Sequence, residues 1–392
     1  MADIVGLTPS ILAGFDKYKY SAVDSSPIGQ YITHPFWNWI VQFLPLWLAP
    51  NLLTLVGFLL LLVSYVIMTY YDVQFYASSL DNPEYPPIPN WVWLVCALNN
   101  FIAHTLDGID GKQARRTNSS TPLGELFDHG LDSWATLFLP IAIYSVFGRG
   151  DYSVGVFHIY AILIGTMMSF FCSHWEKYNT GVLFLPWGYD ASQLAMTIFY
   201  LVTYFGGYEM WKFIVPVLNI PASVMVEIIV HMGFIGLTFP TTFINIYRSY
   251  KNKTGKMRSF PEATRPLVST LFLFTLLLIW AIFSKYEIME KHPRLFMWTT
   301  GTTFSNIACR LIVAQMSNTR CELINIFLIP LSIIVIIVLL LHLQPGRLEV
   351  VFLWVYCLVV TVTHVYYGVS VVCQMCRHFK IHAFSLEKLS VQ

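Results

Sequence analysis

Long apolar segments constrain the fold of this chain more than any other feature. A helix needs about 20 predominantly apolar residues to cross the hydrocarbon core of a bilayer. The sequence therefore predicts an all-α polytopic membrane protein with about ten transmembrane helices. The ten predicted spans are residues 51–71, 91–111, 123–147, 154–174, 191–211, 221–246, 264–284, 295–317, 323–343 and 349–374.

Composition agrees with a membrane location and argues against other classes. Of the 392 residues, 56% are hydrophobic and only 11% are charged, whereas about 25% of a soluble domain is charged. The formal net charge is +1 and no basic stripe dominates, so nothing suggests nucleic acid as a partner. The cysteines lie mostly in apolar segments, and we expect no disulfide framework.

The segments around the spans predict their orientation. Residues 31–47 mix aromatic side chains with few charges, which is typical of a helix lying in the membrane interface. The loop 72–90 has no Lys or Arg, whereas the loop 247–258 is basic. By the positive-inside rule, the basic loop and both chain termini face the cytosol, and so does the end of the second span.

The densest group of charged residues lies at that predicted cytosolic end. Asp107 and Asp110 are three positions apart and Asp128 and Asp132 are four apart, so each pair shares one face of a helix. The polar residues 117–122 end in a proline suited to the first turn of a helix, which predicts a helical hairpin. Four facing carboxylates would repel one another strongly. Oxygen ligands of this kind favour Mg²⁺ or Mn²⁺, so we expect two ions and a phosphate-bearing substrate.

Glycines and basic residues near the acids suit such a substrate. Gly108, Gly111 and Gly124 would let a ligand approach the backbone. Positive charge close to the acids would bind a diphosphate, with Arg115 best placed. The basic residues concerned are Lys112, Arg115 and Arg116.

A carboxylate and an imidazole provide the acid–base chemistry. Glu125 precedes His129 by four positions, so the carboxylate can orient the ring and raise its basicity. An imidazole supported in this way can deprotonate an alcohol. The residues predict metal-assisted phosphoryl transfer to a hydroxyl group.

Two other classes of membrane protein place aspartates in helices. A prenyltransferase-like enzyme would show two similar Asp-rich motifs on separate helices, whereas here the second pair begins 18 positions after Asp110. A cation-coupled transporter would show repeated halves and acids spread over several spans. The spans after residue 190 hold almost no acids, so both classes are more distant alternatives.

The charged segment resembles the signature of the CDP-alcohol phosphotransferases, D-x2-D-G-x2-A-R-x8-G-x3-D-x3-D. The stretches "FDKYKYSAVD", "LAPNLLTLVGF" and "SHWEKYNTGVLFLPWGYD" extend the resemblance to the eukaryotic choline/ethanolamine branch over nearly the whole chain. Within that branch the sequence is most similar to the ethanolaminephosphotransferases. The fixed positions of the signature are filled by Asp107, Asp110, Gly111, Ala114, Arg115, Gly124, Asp128 and Asp132.

The resemblance implies a reaction. Phosphoethanolamine would pass from CDP-ethanolamine to diacylglycerol or alkyl-acylglycerol, giving phosphatidylethanolamine and CMP. Choline, or both head groups, is the alternative. The four aspartates would hold the two Mg²⁺ or Mn²⁺ ions, and His129, supported by Glu125, would accept the hydroxyl proton, with Asp132 as the second candidate. The expected contacts to the CDP-alcohol are Asn51, Gly111, Ala114, Arg115 and Gly124.

The resemblance also implies a setting for the enzyme. We expect a homodimer in the endoplasmic reticulum membrane, with the Golgi membrane as the alternative and the active site facing the cytosol. Head-group contacts are predicted at Trp175, Glu176 and Tyr178, because a carboxylate suits a primary ammonium and aromatic faces suit a quaternary one. The predicted units are a cytoplasmic N-terminus with the interfacial helix (1–50), a catalytic helical core (51–246), a basic cytoplasmic loop (247–262), C-terminal transmembrane helices (263–376) and a cytoplasmic tail (377–392).

Overall fold

The computed structural model describes residues 6–24, 26–185, 188–340 and 347–387. Residues 1–5 of the predicted N-terminal unit, 341–343 of the ninth predicted span and 388–392 of the predicted tail lie outside these ranges. Within them the fold is almost entirely helical, with two short strand pairs. The predicted all-α class is confirmed.

The bounds of the elements follow in chain order. The strands of the described residues are β1 (Ala22–Val23), β2 (Leu183–Phe184), β3 (Ile214–Val215) and β4 (Ile220–Pro221). The α-helices are α1 (Pro9–Phe15), α2 (His34–Ile40), α3 (Pro50–Tyr71), α4 (Asn90–Arg116), α5 (Pro122–Ala135), α6 (Phe138–Phe147), α7 (Val156–Thr180), α8 (Gly188–Gly206), α9 (Ala222–His231), α10 (Phe239–Asn252), α11 (Phe260–Phe283), α12 (Ile288–Lys291), α13 (Pro293–Ser317), α14 (Leu328–Leu340) and α15 (Arg347–Phe379).

Seven helical stretches of the described chain are long and apolar enough to cross a membrane. The other three predicted spans coincide with α8, α13 and α14, which are shorter or more polar. The protein is therefore a polytopic membrane protein, and the number of ten spans stays a prediction. The seven stretches are Pro50–Tyr71, Asn90–Arg116, Pro122–Phe147, Val156–Thr180, Ala222–Asn252, Phe260–Phe283 and Leu348–Phe379.

The third predicted span is interrupted rather than continuous. Its helix ends at Ala135 and resumes at Phe138. Pro140 has no backbone N–H to donate to the carbonyl of Thr136, so a regular helix cannot run through this point. The break separates α5, which carries the charged residues, from the apolar helix α6.

Helix packing brings the charged helix ends together. α4 packs against α3 and α8, and α5 packs against α3 and α13. α13 also contacts α7, α11 and α15, and every residue from Thr299 to Ala308 is buried. This central position explains how a comparatively polar helix is accommodated in the bundle.

The predicted interfacial segment is helical from Gly29 to Phe43. Tyr31 and Phe43 are exposed, whereas the indole of Trp37 is buried against Gly108 of α4. A Cβ atom at Gly108 would overlap that indole, so this glycine serves helix packing and not the ligand approach predicted for it. The membrane-interface location of the segment stays a prediction.

Candidate active site

The predicted hairpin turn joins α4 and α5. Thr121 caps the N-terminus of α5, where its hydroxyl oxygen accepts a hydrogen bond from the backbone N–H of Gly124 at 3.2 Å. Pro122 occupies the first helical position, where its missing N–H costs nothing. The turn therefore lets α5 fold back so that its acidic face meets that of α4.

The hairpin brings the predicted aspartates into two overlapping groups. Asp107, Asp110 and Asp128 each offer a carboxylate oxygen within 4.8 Å of the others, and so do the side chains of Asp128, His129 and Asp132. One oxygen of Asp128, Oδ1, is buried and has no hydrogen-bond partner among the described residues. Clustered carboxylate oxygens with an unsatisfied buried member fit a hard divalent cation. The structure thus places all four predicted ligands in a set that could hold metal.

Two hydroxyl groups support these carboxylates. The Thr54 hydroxyl on α3 donates to Asp110 Oδ2 at 2.5 Å, and the Tyr189 hydroxyl on α8 donates to Asp107 Oδ2 at 2.9 Å. Such bonds orient metal ligands. Sequence reasoning missed both residues, although Thr54 lies three positions after Asn51 on the same side of its helix and could have been found by that spacing.

His129 lies between the aspartates and Glu125. Its Nδ1 is 3.8 Å from Asp128 Oδ2 and 3.7 Å from Asp132 Oδ2, and its Nε2 is 4.0 Å from Glu125 Oε1. These separations exceed hydrogen-bond lengths. Nε2 is buried and has no hydrogen-bond partner among the described residues, so a bound ligand would not have to displace an existing hydrogen bond there.

Glu125 is bonded by two residues that sequence reasoning did not connect with it. The Tyr18 hydroxyl donates to Glu125 Oε1 at 2.6 Å, and the Lys177 ammonium of α7 donates to the same oxygen. Burial and the charge of Glu125 raise the pKa of Tyr18 well above its usual range, so the hydroxyl keeps the proton that it donates. Glu125 therefore lies close to His129, which it is predicted to support. Its hydrogen bonds, however, are to Tyr18 and Lys177.

Lys177 is also enclosed by aromatic rings. Its Nζ lies 5.4 Å from the centre of the Tyr18 ring and 5.1 Å from that of Tyr20. The parallel pairing of β1 with β2 holds this N-terminal segment beside the end of α7. This segment shares the family resemblance, but no local spacing in the sequence connects it with α5.

The predicted nucleotide contacts lie on both sides of the hairpin. A Cβ atom at Gly124 would lie 3.4 Å from Asn51 Oδ1, and one at Gly111 would lie 3.5 Å from Arg115 Nη1. Ala114 is half-buried on the last turns of α4, beside the exposed Arg115. These residues line the same end of the hairpin as the aspartates.

The C-terminal tail reaches this end as well. The Asn51 amide donates to the backbone carbonyl of Ala383 at 2.9 Å. Phe384 packs edge-on against Phe127 of α5, with 5.7 Å between the ring centres. The tail therefore contributes to the wall beside a predicted nucleotide contact.

Two of the three predicted basic residues serve the fold. Lys112 Nζ donates to Asn38 Oδ1 at 2.8 Å, and the guanidinium of Arg116 donates to the carbonyl of Leu44 at 2.6 Å. Lys112 thus ties α4 to α2, and Arg116 ties it to the segment that follows α2. Arg115 alone of the three extends along the Gly111 face towards the site.

The three predicted head-group contacts face away from the hairpin. Trp175 Nε1 donates to the carbonyl of Ala263 at 2.6 Å, Glu176 Oε1 accepts from Asn245 at 2.8 Å, and the Tyr178 hydroxyl donates to Glu262 at 2.7 Å. All three side chains are buried against α10, α11 or their neighbouring loops. The sequence could not show which face of α7 meets α5, and the face that does so carries His174 and Lys177.

Comparisons with known proteins identify the family. A family profile described as CDP-alcohol phosphatidyltransferase matches residues 47–225. Ethanolaminephosphotransferase 1 of Mus musculus is 49% identical over 390 residues, covering 99% of this chain and 96% of the relative. The Homo sapiens protein of that name is 48% identical over the same coverage. The chain belongs to the CDP-alcohol phosphatidyltransferase family.

Membership in this family confirms the predicted transferase and removes the prenyltransferase-like and transporter alternatives. More distant relatives within it include cholinephosphotransferase 1 of Danio rerio. That protein is 32% identical over 391 residues, which is 96% of this chain and 94% of the relative. The family thus contains relatives named for two head groups.

Proposed function

We propose that this enzyme transfers phosphoethanolamine from CDP-ethanolamine to diacylglycerol or alkyl-acylglycerol, giving phosphatidylethanolamine and CMP. The observation that carries the proposal is the pair of overlapping acidic groups at the α4–α5 hairpin. The higher identity to relatives named for ethanolamine than to those named for choline supports the head group.

The four aspartates are the proposed metal ligands. Asp107, Asp110, Asp128 and Asp132 would hold two Mg²⁺ or Mn²⁺ ions, because their oxygens converge and Asp128 belongs to both groups. Bound ions would neutralise diphosphate charge and stabilise the CMP leaving group. Thr54 and Tyr189 keep the carboxylates oriented through the hydrogen bonds described above.

The nucleotide is assigned to the same end of the hairpin, beside the aspartates. Arg115 supplies a guanidinium to the diphosphate. The small residues leave room for its approach, and Asn51, whose Oδ1 lies beside Gly124, would contact the cytidine. The small residues assigned to this surface are Gly111, Ala114 and Gly124.

His129 is the proposed proton acceptor. Its unpartnered Nε2 would accept the proton of the diacylglycerol hydroxyl as the hydroxyl oxygen bonds to the transferred phosphorus and the bond to CMP breaks. Glu125, held by Tyr18 and Lys177, would stabilise the protonated imidazole from 4.0 Å. Asp132 is the second candidate for the base.

The cellular setting is proposed along with the reaction. The enzyme would act as a homodimer in the endoplasmic reticulum membrane, with the Golgi membrane as the alternative and the site facing the cytosol. Residues 51–246 would form the catalytic core, between the N-terminal unit 1–50 and the basic loop 247–262. The helices in 263–376 and the tail 377–392 complete the chain.

A direct assay tests the function. Purified full-length protein in lipid nanodiscs is given diacylglycerol, Mg²⁺ or Mn²⁺, and either CDP-ethanolamine or CDP-choline, and CMP and lipid products are measured. We expect metal-dependent formation of CMP and phosphatidylethanolamine in equal amounts, and chelation to abolish both. Exclusive use of CDP-choline would establish the cholinephosphotransferase alternative, and the absence of product with both nucleotides would refute the proposal.

A further inference from the structure

A buried cation lies next to the proposed reaction centre. The Lys177 side chain is only 3% exposed and pairs with Glu125, whose Oε1 is 4.0 Å from His129 Nε2. His129 Nδ1 is in turn 3.7 Å from Asp132. The Lys177 ammonium is therefore separated from the proposed metal-binding carboxylates by two side chains, those of Glu125 and His129.

The surroundings of this ammonium are those that recognise an ammonium ligand. One carboxylate accepts its hydrogen bond, and the rings of Tyr18 and Tyr20 lie 5.4 and 5.1 Å from Nζ, within the range of cation–π attraction. Tyr20 is 55% exposed, so the cluster opens at its rim. The Lys177 ammonium thus lies among groups that could otherwise bind a cationic head group.

The two head groups differ in what they need from these groups. A primary ammonium carries N–H donors. Both hydrogen bonds to Glu125 end on Oε1, so Oε2 remains available among the described residues. A trimethylammonium group has no N–H and depends on aromatic faces. Those faces are already turned towards Lys177. Its positive charge repels both head groups, but only the primary ammonium has N–H donors with which a hydrogen bond to Glu125 can offset that repulsion.

We propose that Lys177 determines head-group specificity by occupying the Tyr18 and Tyr20 faces that a quaternary ammonium would require, while leaving Glu125 able to accept a primary one. This inference rests on the proposed CDP-alcohol substrate. It also gives the segment 175–178 a role in the site, because the side chain of Lys177 is directed towards Glu125.

The test compares two nucleotides across matched variants. The ratio of kcat/KM for CDP-choline to kcat/KM for CDP-ethanolamine is measured for full-length protein in nanodiscs. Lys177→Met removes the charge but keeps the aliphatic stem, and we expect the ratio to rise at least about tenfold. Lys177→Arg keeps the charge and should leave the ratio within about threefold of wild type. Lys212→Met, at a half-buried lysine that bonds the Phe147 carbonyl at the end of α6, is the control and should not change it.

Several outcomes would overturn the inference. A folded, active Lys177→Met protein with the wild-type ratio would do so, and so would an equal change in the Lys212→Met control. If Lys177→Met does not fold, Lys177→Gln, which can still donate to Glu125, replaces it with the same expectation.

A wild-type measurement keeps the inference testable without any variant. CDP-choline should inhibit the use of CDP-ethanolamine with an inhibition constant at least about tenfold above the KM for CDP-ethanolamine. Equal values would overturn the role of Lys177. A wild-type protein that uses neither nucleotide would count against the proposed function, which separates the two failures.

Discussion

The aspartate cluster and the cluster around Glu125 are neighbours, but the chain builds them differently. All four aspartates come from one hairpin between Asp107 and Asp132. Glu125 instead bonds Tyr18, 107 positions away, and Lys177, 52 positions away. The first cluster forms when two adjacent helices fold back, whereas the second requires the assembled bundle. Chemistry carried by local spacing is therefore visible in the sequence, while the groups that orient it depend on tertiary packing.

The largest effect is expected from a substitution of Asp128, which belongs to both acidic groups of the hairpin. Asp128→Asn removes a charged ligand from both acidic groups with little change in shape, so turnover should fall by about 10³-fold or more. CMP release measures the loss, and thermal unfolding of the solubilised protein checks the fold. Asp151→Asn, at an exposed aspartate in the loop before α7, should keep wild-type turnover. Near-normal activity of Asp128→Asn would show that this carboxylate is not a ligand.

An intermediate effect is expected where the two clusters meet. His129→Ala removes the proposed proton acceptor and should lower kcat by about 10²- to 10⁴-fold. The Kd for CDP-ethanolamine, measured by calorimetry, should change by less than about threefold, because His129 is not among the proposed nucleotide contacts. His158→Ala, at an exposed histidine of α7 that pairs with Glu227, is the matched control. Parallel losses of binding and turnover would make His129 a binding residue instead.

The smallest effect is expected in the long-range cluster. Tyr18→Phe removes one hydrogen bond to Glu125, while Lys177 still holds that carboxylate. Since a hydrogen bond to a charged group contributes about 1.5–3 kcal/mol and Glu125 affects the proton transfer only through His129, kcat should fall by about three- to tenfold. Tyr31→Phe, at an exposed tyrosine, should behave as wild type. A loss as large as that of His129→Ala would mean that Tyr18 touches the reacting atoms.

The sequence revealed the parts of this protein that depend on periodicity. Apolar run lengths located the helices, and the spacing of Asp107, Asp110, Asp128 and Asp132 located the acidic groups. Which face of a helix meets which neighbour could not be read in the same way. Residue type alone predicts head-group contacts in the segment 175–178, but the interhelical packing of α7 directs Lys177, and not Trp175, towards α5.

A break in a helix and a pairing between distant segments were also beyond local reasoning. The apolar pattern continues across Thr136 and Pro140, so it concealed the end of α5. Tyr189 supports Asp107 from α8, yet nothing near Tyr189 in the chain resembles a metal site. Hydrophobic periodicity indicates which residues are buried, but it does not indicate which hydroxyl group donates a hydrogen bond to a given carboxylate.

The contact between Asn51 and Ala383 has a consequence for how the enzyme matures. Asn51 and all four aspartates lie within residues 51–132, whereas Ala383 follows about 250 positions later. A nascent chain therefore carries every proposed metal ligand long before the ribosome has made the segment that closes the wall beside Asn51. Translation order thus separates the appearance of the reactive groups from the completion of their pocket, because the site reaches its final form only after the segment that contains Ala383 has been made.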